Sequence, residues 1–378
     1  MNFDFTEEQV MLRDSVARYV QDDYDFDTRR AIADSEAGIS AEKWQTFAEL
    51  GWLSIPFAEE HGGFGGSPVD AMLVMEEFGK GLVLEPYLAT VVLFGGLLHK
   101  GASADLQAEY IPRIIDGSCQ GAFAYLERQS RFELADVKTT ATAAGEGYTL
   151  NGEKVVVFNG ANADHFIVSA RTSGEQCDEQ GISLFLVSAD TSGVTVTDYR
   201  MMDGQKVANV VFADVVAHPA NRVGDAGAGF ALIREVVLEA NLALCAEALG
   251  IMGQLNAKTL EYTRTREQFG VAIGSFQALQ HRMVDTFMAY EQTRSLLYRA
   301  VCALTDDKED AATAVHALKV MVDRAGTQIY SEAIQLHGGM GLTDELDIGH
   351  YAKRLMIINT TFGNGDFHQA KFNELRYN

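Results

Sequence analysis

Residues 264–281 read RTREQFGVAIGSFQALQH, a glycine-containing stretch between two long segments of helical periodicity. Apolar residues recur at helical spacing before it, after it and nearly to the end of the chain. The segments with this period are 230–266, 276–304, 309–336 and 345–358. Leu, Met, Ile and Ala dominate their apolar faces, as both a bundle core and an oligomer interface require. The sequence therefore predicts a C-terminal four-helix bundle over residues 225–378.

The middle of the chain, residues 117–224, has a different pattern. Short runs rich in β-branched and aromatic residues, such as 165–168 and 182–187, alternate with Gly, Asn and Asp turns. Asn151-Gly152 predicts a two-residue hairpin turn, because both residues tolerate positive φ. We expect a small central β domain with a barrel-like or sandwich-like sheet.

The N-terminal part, residues 1–116, is predicted to be all α. Thr6 is a helix N-cap followed by two glutamates, and Pro68 is the first residue of a later helix. The glycine run 62–66 lies directly before that helix. A dinucleotide-binding glycine loop would need a preceding strand and a different spacing, so we interpret the run as a plain loop. The fold class is α+β and mostly α.

Charge and composition exclude several functions. The 30 Lys and Arg against 53 Asp and Glu give a net charge of −23, so the surface field repels nucleic acid and anionic membranes. A length of 378 residues predicts two or three domains at roughly 100–200 residues each. The hydrophobic content of 47% is that of an ordinary globular protein.

The cysteines and the N-terminus carry no metal or export signal. Cys119, Cys177, Cys245 and Cys302 are far apart, without the spacing of a zinc site or a disulfide framework. The opening residues have no basic region followed by an apolar core, and no apolar run reaches the roughly 18 residues of a membrane span. We expect a cytoplasmic protein without a bound metal.

Three sequence blocks together resemble the acyl-CoA dehydrogenase family. They are RTREQFG at 264–270, IGSFQALQH at 273–281 and QLHGGMG at 335–341, which match that family's RxQFG, IGxFQxxxH and QxxGGxG in order and separation. The opening FTEEQ, Gly51 to Gly63 and the LNGEK of 150–154 also fit. The resemblance covers nearly the whole chain and implies the order helical domain, β domain, helical bundle.

The resemblance implies that FAD lies across a subunit interface and that these blocks reach across it to bind the ADP half of an FAD molecule shared with the neighbouring subunit. Arg266 would be the main donor, since a guanidinium delivers paired charged hydrogen bonds to a pyrophosphate. The other implied cofactor residues are Gln268, Phe269, Gln277, Gln335, Gly338 and Gly339. Taken alone, Arg266 has another interpretation, in which it bonds carbonyls at a helix end or pairs with a glutamate.

The family's catalytic base is missing from both of its usual positions. A glutamate of the family removes the α-proton of the acyl thioester, a step to which a positioned carboxylate contributes orders of magnitude in rate. Gly363 occupies the commonest position of that glutamate, and Ala240-Asn241 occupies the second. Glu239, Glu247 and Asp366 are nearby acids, none of them at the expected place; Glu247 has a structural interpretation as a buried acid.

The family's contacts to the flavin ring are also absent. The block that resembles TEPxxGSD reads LERQSRFE at 126–133, without the expected Thr and Ser oxygens. Where the family has W-x-T, residues 156–158 read VVF. Arg128 and Arg131 are either contacts to CoA phosphates or solvated loop residues.

This pattern resembles the small subunits of heteromeric acyl-CoA dehydrogenases, such as those for pimeloyl-CoA or steroid side chains. The resemblance implies an α2β2 tetramer with two FAD molecules, in which a second acyl-CoA dehydrogenase-like chain carries the glutamate base. The enzyme would desaturate an acyl-CoA to a trans-2-enoyl-CoA in β-oxidation of fatty acids or steroid side chains. It would pass electrons to an electron-transferring flavoprotein.

Three other functions remain open from the sequence. A self-sufficient homotetrameric dehydrogenase would use Glu239 or Glu247 as a displaced base. A protein with the same fold and bound flavin would catalyse a reaction that needs no α-proton abstraction. A purely structural subunit would stabilise a catalytic partner without contacting FAD.

Overall fold

The N-terminal part of the computed structural model is helical, and the structure describes residues 5–306 and 308–377. Its helices are α1 (Glu7–Asp23), α2 (Phe26–Asp34), α3 (Ala41–Glu49), α4 (Pro68–Gly81), α5 (Gly96–Gly101) and α6 (Ala104–Ile115), with a π-helix at Tyr87–Gly95 before α5. The Thr6 hydroxyl accepts a hydrogen bond from the Gln9 N–H at 3.2 Å, and the Gln9 side chain bonds back to Thr6. This capping box confirms the predicted start of α1. The start of α4 at Pro68 is likewise as predicted.

The middle part forms one sheet of eight strands. They are β1 (Gly121–Ala124), β2 (Thr140–Ala144), β3 (Gly147–Phe158), β4 (His165–Arg171), β5 (Ile182–Ser188), β6 (Val194–Arg200), β7 (Lys206–Ala217) and β8 (Arg222–Val223). Their order is β6-β7-β3-β2-β4-β5-β8, with β1 parallel to β4. The core is apolar and includes the rings of Phe166, Phe185 and Phe212.

The predicted hairpin at Asn151-Gly152 is wrong. Both residues lie inside the single strand β3, at a register shift against β7. Asn151 accepts a hydrogen bond from the Asp214 N–H at 2.9 Å, and a Cβ on Gly152 would collide with Thr139. The dipeptide therefore serves a β-bulge and a close backbone approach, while Gly145 at φ 60 begins the two-residue turn between β2 and β3.

The C-terminal part contains the four predicted long helices and one further helix. The elements are α7 (Gly229–Thr265), a small hairpin of β9 (Glu267–Gln268) and β10 (Val271–Ala272), α8 (Gln277–Asp306), α9 (Lys308–His337), α10 (Ile348–Thr360) and α11 (Gly365–Tyr377). A short 3₁₀ segment, Gly338–Leu342, follows α9 directly. The sequence periodicity did not predict α11, whose buried residues are Gly365 and His368 and not a row of large apolar side chains.

The chain divides into two compact units. One unit contains α1, α4, the part of α7 from Asn241 onward and the later helices. The other contains α3, α5, α6, the eight-stranded sheet and the first part of α7, through Ala240. The predicted helical N-terminal region is therefore shared between the two units.

Helix α7 is long and apolar enough, by length and composition, to cross a membrane. Its most apolar 18-residue window has a mean hydropathy of 1.6. However, 83% of that window is buried inside the protein, as in the core helix of a soluble protein. The apolar character of α7 is accounted for by this burial.

Candidate functional site

The seven residues predicted to hold the ADP half of FAD all lie in one unit and are all exposed. They are Arg266, Gln268, Phe269, Gln277, Gln335, Gly338 and Gly339. They come from the end of α7, the β9–β10 hairpin, the start of α8 and the end of α9. We call this group the ADP-side surface.

The β9–β10 hairpin has a strained two-residue turn. Phe269 has φ 56 and Gly270 has φ 80, the pair of positive angles that a tight hairpin requires. A phenylalanine rarely adopts such a conformation, and strain of this kind is often found at functional sites. The Phe269 side chain is 93% exposed and meets Phe276 edge-on at 6.2 Å between ring centroids. The turn thus presents an aromatic ring on the outside of the unit.

Backbone contacts join the hairpin to α7, and a ring contact joins α7 to α9. The Ile273 N–H donates to the Arg266 carbonyl at 2.8 Å. A Cβ on Gly274 would lie 2.9 Å from the Thr263 carbonyl oxygen, so only glycine fits comfortably there. The Tyr262 ring stacks on His337 with 4.4 Å between centroids, next to Gly338. These contacts bring the separate sequence blocks together.

The Arg266 guanidinium forms neither an ion pair nor a hydrogen bond with any residue that the structure describes. At the end of α7 the Thr265 hydroxyl bonds the Glu261 and Tyr262 carbonyls instead. The helix-end interpretation of Arg266 is therefore wrong. Arg264 is also exposed and unpaired among the described side chains.

The donor set of the ADP-side surface fits a pyrophosphate group. Arg266 supplies charged paired donors, and three glutamines supply neutral ones. No atom lies within 4 Å of a Cβ built on Gly338 or Gly339, and Gly338 has φ 61. The backbone of these glycines is therefore open to close approach by a ligand.

The position of the missing base cannot readily accept a side chain. Gly363 has φ 127, which side-chain-bearing residues rarely adopt. A Cβ there would collide with the Phe367 ring and lie 2.7 Å from Nε2 of His368. At the second base position, Ala240 and Asn241 are both buried. Neither site offers a carboxylate.

One face of α9 fixes the segment around Gly363. Nδ1 of His316 lies 2.7 Å from Nδ1 of His368. Nζ of Lys319 donates to the carbonyls of Ile358 and Thr361 at 2.9 and 2.8 Å. The Asp323 carboxylate accepts from the Gly365 N–H at 3.0 Å. We call His316, Lys319 and Asp323 the α9 clamp.

Burial lowers the pKa of the two histidines and of the lysine at the α9 clamp. It lowers the pKa of His316 to about 4 and that of His368 to about 2. It also lowers the pKa of Lys319 to about 8. The two histidines are therefore neutral at pH 7, and one Nδ1–H donates to the other ring's Nδ1. The sequence signal for this cluster is the spacing i, i+3, i+7 of polar residues on an apolar helix, which does not by itself identify their partners.

The alternative acids are engaged elsewhere. Glu239 lies 3.0 Å from Nζ of Lys100. Glu247 is buried and accepts two hydrogen bonds from the Arg354 guanidinium at 2.6 and 2.8 Å, which makes it a structural acid. Asp366 is exposed in the first turn of α11, where its negative charge interacts favourably with the positive end of the helix dipole.

The loop that resembles TEPxxGSD is fixed by a buried ion pair that sequence reasoning missed. Nζ of the fully buried Lys154 lies 2.8 Å from the Glu127 carboxylate and 3.0 Å from the Ser169 hydroxyl. Lys154 and several hydrogen-bond donors lower the pKa of Glu127 to about 2. The positions where the family has Thr or Ser oxygens carry Leu126, Phe132 and Phe158, which have no polar side-chain atom. The loop is thus well fixed without offering donors to a flavin ring.

The two arginines of that loop are accounted for differently. Arg128 forms a two-point ion pair with Glu153, with a shortest distance of 2.8 Å. Arg131 is exposed and has φ 46, at the place of the family's glycine.

Within residues 5–306 and 308–377, no cluster of three or more His, Cys, Asp or Glu side chains could hold a metal ion.

Comparison with protein families matches all three parts of the chain. Residues 6–118 match the acyl-CoA dehydrogenase N-terminal domain, residues 122–215 its middle domain and residues 227–371 its C-terminal domain. The chain belongs to the acyl-CoA dehydrogenase family. It is an oxidoreductase of that family, whose reaction is FAD-dependent dehydrogenation.

Known acyl-CoA dehydrogenase relatives align along nearly the full length. The probable acyl-CoA dehydrogenase YngJ of Bacillus subtilis is 29% identical over 353 residues, 92% of each chain. The solved structure of PigA with FAD and proline is 28% identical, with a TM-score of 0.92, and the match covers 99% of this chain and 98% of that one. A variant of the steroid acyl-CoA dehydrogenase Tcur3481–Tcur3483 is 28% identical, with a TM-score of 0.88 and coverage of 98% and 97%.

The buried histidine pair predicts an acid-sensitive fold in this acyl-CoA dehydrogenase. The folded pKa values of His316 and His368 lie below the 6.5 of a free histidine, so below that pH the unfolded chain binds protons that the folded chain does not. We expect the free energy of unfolding to fall from pH 6.5 to about 4. Urea denaturation at pH 7 and pH 5 measures the loss, which should be smaller in His316→Gln/His368→Gln. An equal loss in both proteins would contradict the assignment.

Proposed function

We propose that this chain is the non-base-bearing subunit of a two-chain, FAD-dependent acyl-CoA dehydrogenase. The observation that carries the proposal is Gly363, where φ and the ring of His368 both oppose a side chain. The partner subunit supplies the glutamate base and the flavin-ring pocket. The product is a trans-2-enoyl-CoA, and an electron-transferring flavoprotein is the acceptor.

The ADP-side surface is the contribution of this chain to the cofactor site. Arg266 has no competing partner among the described residues, and the Gly338-Gly339 backbone is open. Bound FAD supplies the acceptor for the hydride that leaves the acyl β-carbon. The residues of this chain bind the ADP half and take no part in proton transfer.

Exposed apolar side chains next to the ADP-side surface support a partner subunit. Val284, Phe287 and Met288 on α8 are 54%, 57% and 49% exposed and follow the spacing i, i+3, i+4. Phe269 and Phe276, which contact each other edge-on, are also exposed. Exposed apolar side chains that share one face often mark an interaction surface.

The similarity to the steroid acyl-CoA dehydrogenase Tcur3481–Tcur3483, whose name joins two proteins, also supports an α2β2 enzyme. The match to that relative covers 98% of this chain. A homotetramer with a displaced base is less well supported, because Glu239 and Glu247 each have a cationic partner.

The cofactor role of Arg266 is tested by Arg266→Ala in the assembled two-chain enzyme. We expect FAD to bind roughly ten- to a hundredfold more weakly, because a charge-assisted hydrogen bond worth about 1.5–3 kcal/mol is lost. Fluorescence titration of the apoenzyme with FAD measures the dissociation constant. Arg264→Ala is the matched control, since it removes an exposed arginine two residues away that has no partner in the described part of the chain, and it should leave the constant unchanged. Equal FAD affinity in wild type and Arg266→Ala would favour a purely structural subunit.

The absence of a base is tested by Gly363→Glu in this chain alone. We expect no acyl-CoA turnover, because φ 127 strains the new residue, His368 opposes its side chain, and Leu126, Phe132 and Phe158 provide no donors for a flavin ring. Reduction of an artificial electron acceptor with acyl-CoA substrates of several chain lengths measures turnover, and gel filtration shows whether the variant is folded. Turnover by this single variant would refute the account of the ring-side positions.

A further inference from the structure

Lys258 and Tyr262 lie one turn apart on the same face of α7. Arg266 directly follows that helix, and its backbone N–H donates to the Tyr262 carbonyl at 2.8 Å. Tyr262 contacts His337, the last residue of α9, and Lys258 contacts Asp347, directly before α10, whereas Arg266 has no side-chain partner in the described chain. The end of α7 thus connects the cofactor arginine to the glycines of the third sequence block.

Tyr262 makes two contacts with His337. The rings stack at 4.4 Å between centroids with 29° between their planes. The Tyr262 hydroxyl also reaches the His337 carbonyl oxygen at 3.4 Å. His337 is the last residue of α9, and the next residue is Gly338, so the stack acts directly on the start of the open glycine segment.

His337 is itself fixed in orientation. It is buried, and its Nδ1 lies 2.7 Å from the Ala333 carbonyl oxygen one turn back along α9. This carbonyl accepts the Nδ1–H, so the ring is held against the helix from which it projects. Movement of Tyr262 would therefore be transmitted to the end of α9.

The stretch between α9 and α10, residues 338–347, is also bound to α7 at its far end. Nζ of Lys258 forms an ion pair with Asp347 at 2.8 Å, just before α10 begins. Two residues of one helical face thus hold both ends of the stretch between α9 and α10. Arg266, one turn beyond Tyr262, is placed relative to Gly338-Gly339 by the same helix.

We propose that Tyr262 is a positioning residue for the cofactor, which sets the Gly338-Gly339 backbone at the correct distance from Arg266. The inference rests on the proposed function and deepens it, because it assigns a role to a residue that need not contact FAD. A pyrophosphate bound by both groups requires them to be in register. Loss of the stack would lower affinity for the ADP half without removing any donor.

The test uses Tyr262→Leu and Tyr262→Phe in the assembled two-chain enzyme, with FAD and with ADP as probes. Leucine removes the ring stack, and we expect both dissociation constants to rise about tenfold. The Tyr262→Phe variant keeps the ring stack, so its dissociation constants for both probes should stay within about twofold of the wild-type values.

The matched control is Tyr290→Leu. Tyr290 is another half-buried tyrosine of this unit, and it packs against Gly253 of α7 far along the helix from Arg266. We expect a similar loss of thermal stability in both leucine variants but weaker binding only in Tyr262→Leu. Unchanged binding in Tyr262→Leu, or equal weakening in Tyr290→Leu, would overturn the positioning role. If Arg266→Ala also binds FAD normally, the proposed function fails as well, so the two failures are distinguishable.

Discussion

The α9 clamp determines what this chain can do at the usual position of the family's base. His316, Lys319 and Asp323 bind the segment from Ile358 to His368 through side-chain and backbone hydrogen bonds. In the resulting conformation the backbone at Gly363 has a positive φ, and the His368 imidazole lies where a side chain would project. Buried hydrogen bonds of this kind are costly to break, since each leaves a polar group without a partner. The absence of the base therefore depends on the packing of the whole segment around Gly363 and not only on the identity of that one residue.

The other candidate cofactor positions fall into two groups, those predicted to bind the ADP half of FAD and those that lack contacts to its flavin ring. The ADP-side surface has an arginine without a partner among the described residues, together with neutral donors and open glycines. The loop fixed by the Glu127–Lys154 pair keeps its shape but presents apolar side chains where the family has oxygens. Under the proposed function, a chain with this combination binds the ADP half of FAD, and a complementary partner subunit supplies the flavin-ring pocket and the base.

Local signals in the sequence predicted much of the fold. Thr6 and Pro68 specify helix starts through contacts with their immediate neighbours, and the four long bundle helices follow from periodicity. The Asn151-Gly152 prediction failed because both residues contact residues that are distant in the sequence. Asn151 accepts a hydrogen bond from Asp214, and Gly152 lies close to Thr139. The clamp escaped prediction for the same reason, since His316 and His368 are 52 residues apart. The cofactor residues are a prediction from sequence blocks, whereas the Tyr262–His337 stack that joins two of those blocks is visible only in three dimensions.

We propose that this chain requires a second, different subunit to form a complete flavoenzyme. The most direct measurement is the flavin absorbance spectrum and molecular mass of the chain purified alone and after co-expression with the acyl-CoA dehydrogenase-like chain encoded beside it. The account predicts a protein without stoichiometric flavin when alone, and a yellow α2β2 tetramer with one FAD for every two chains when together. A yellow homo-oligomer with one FAD per chain would contradict it.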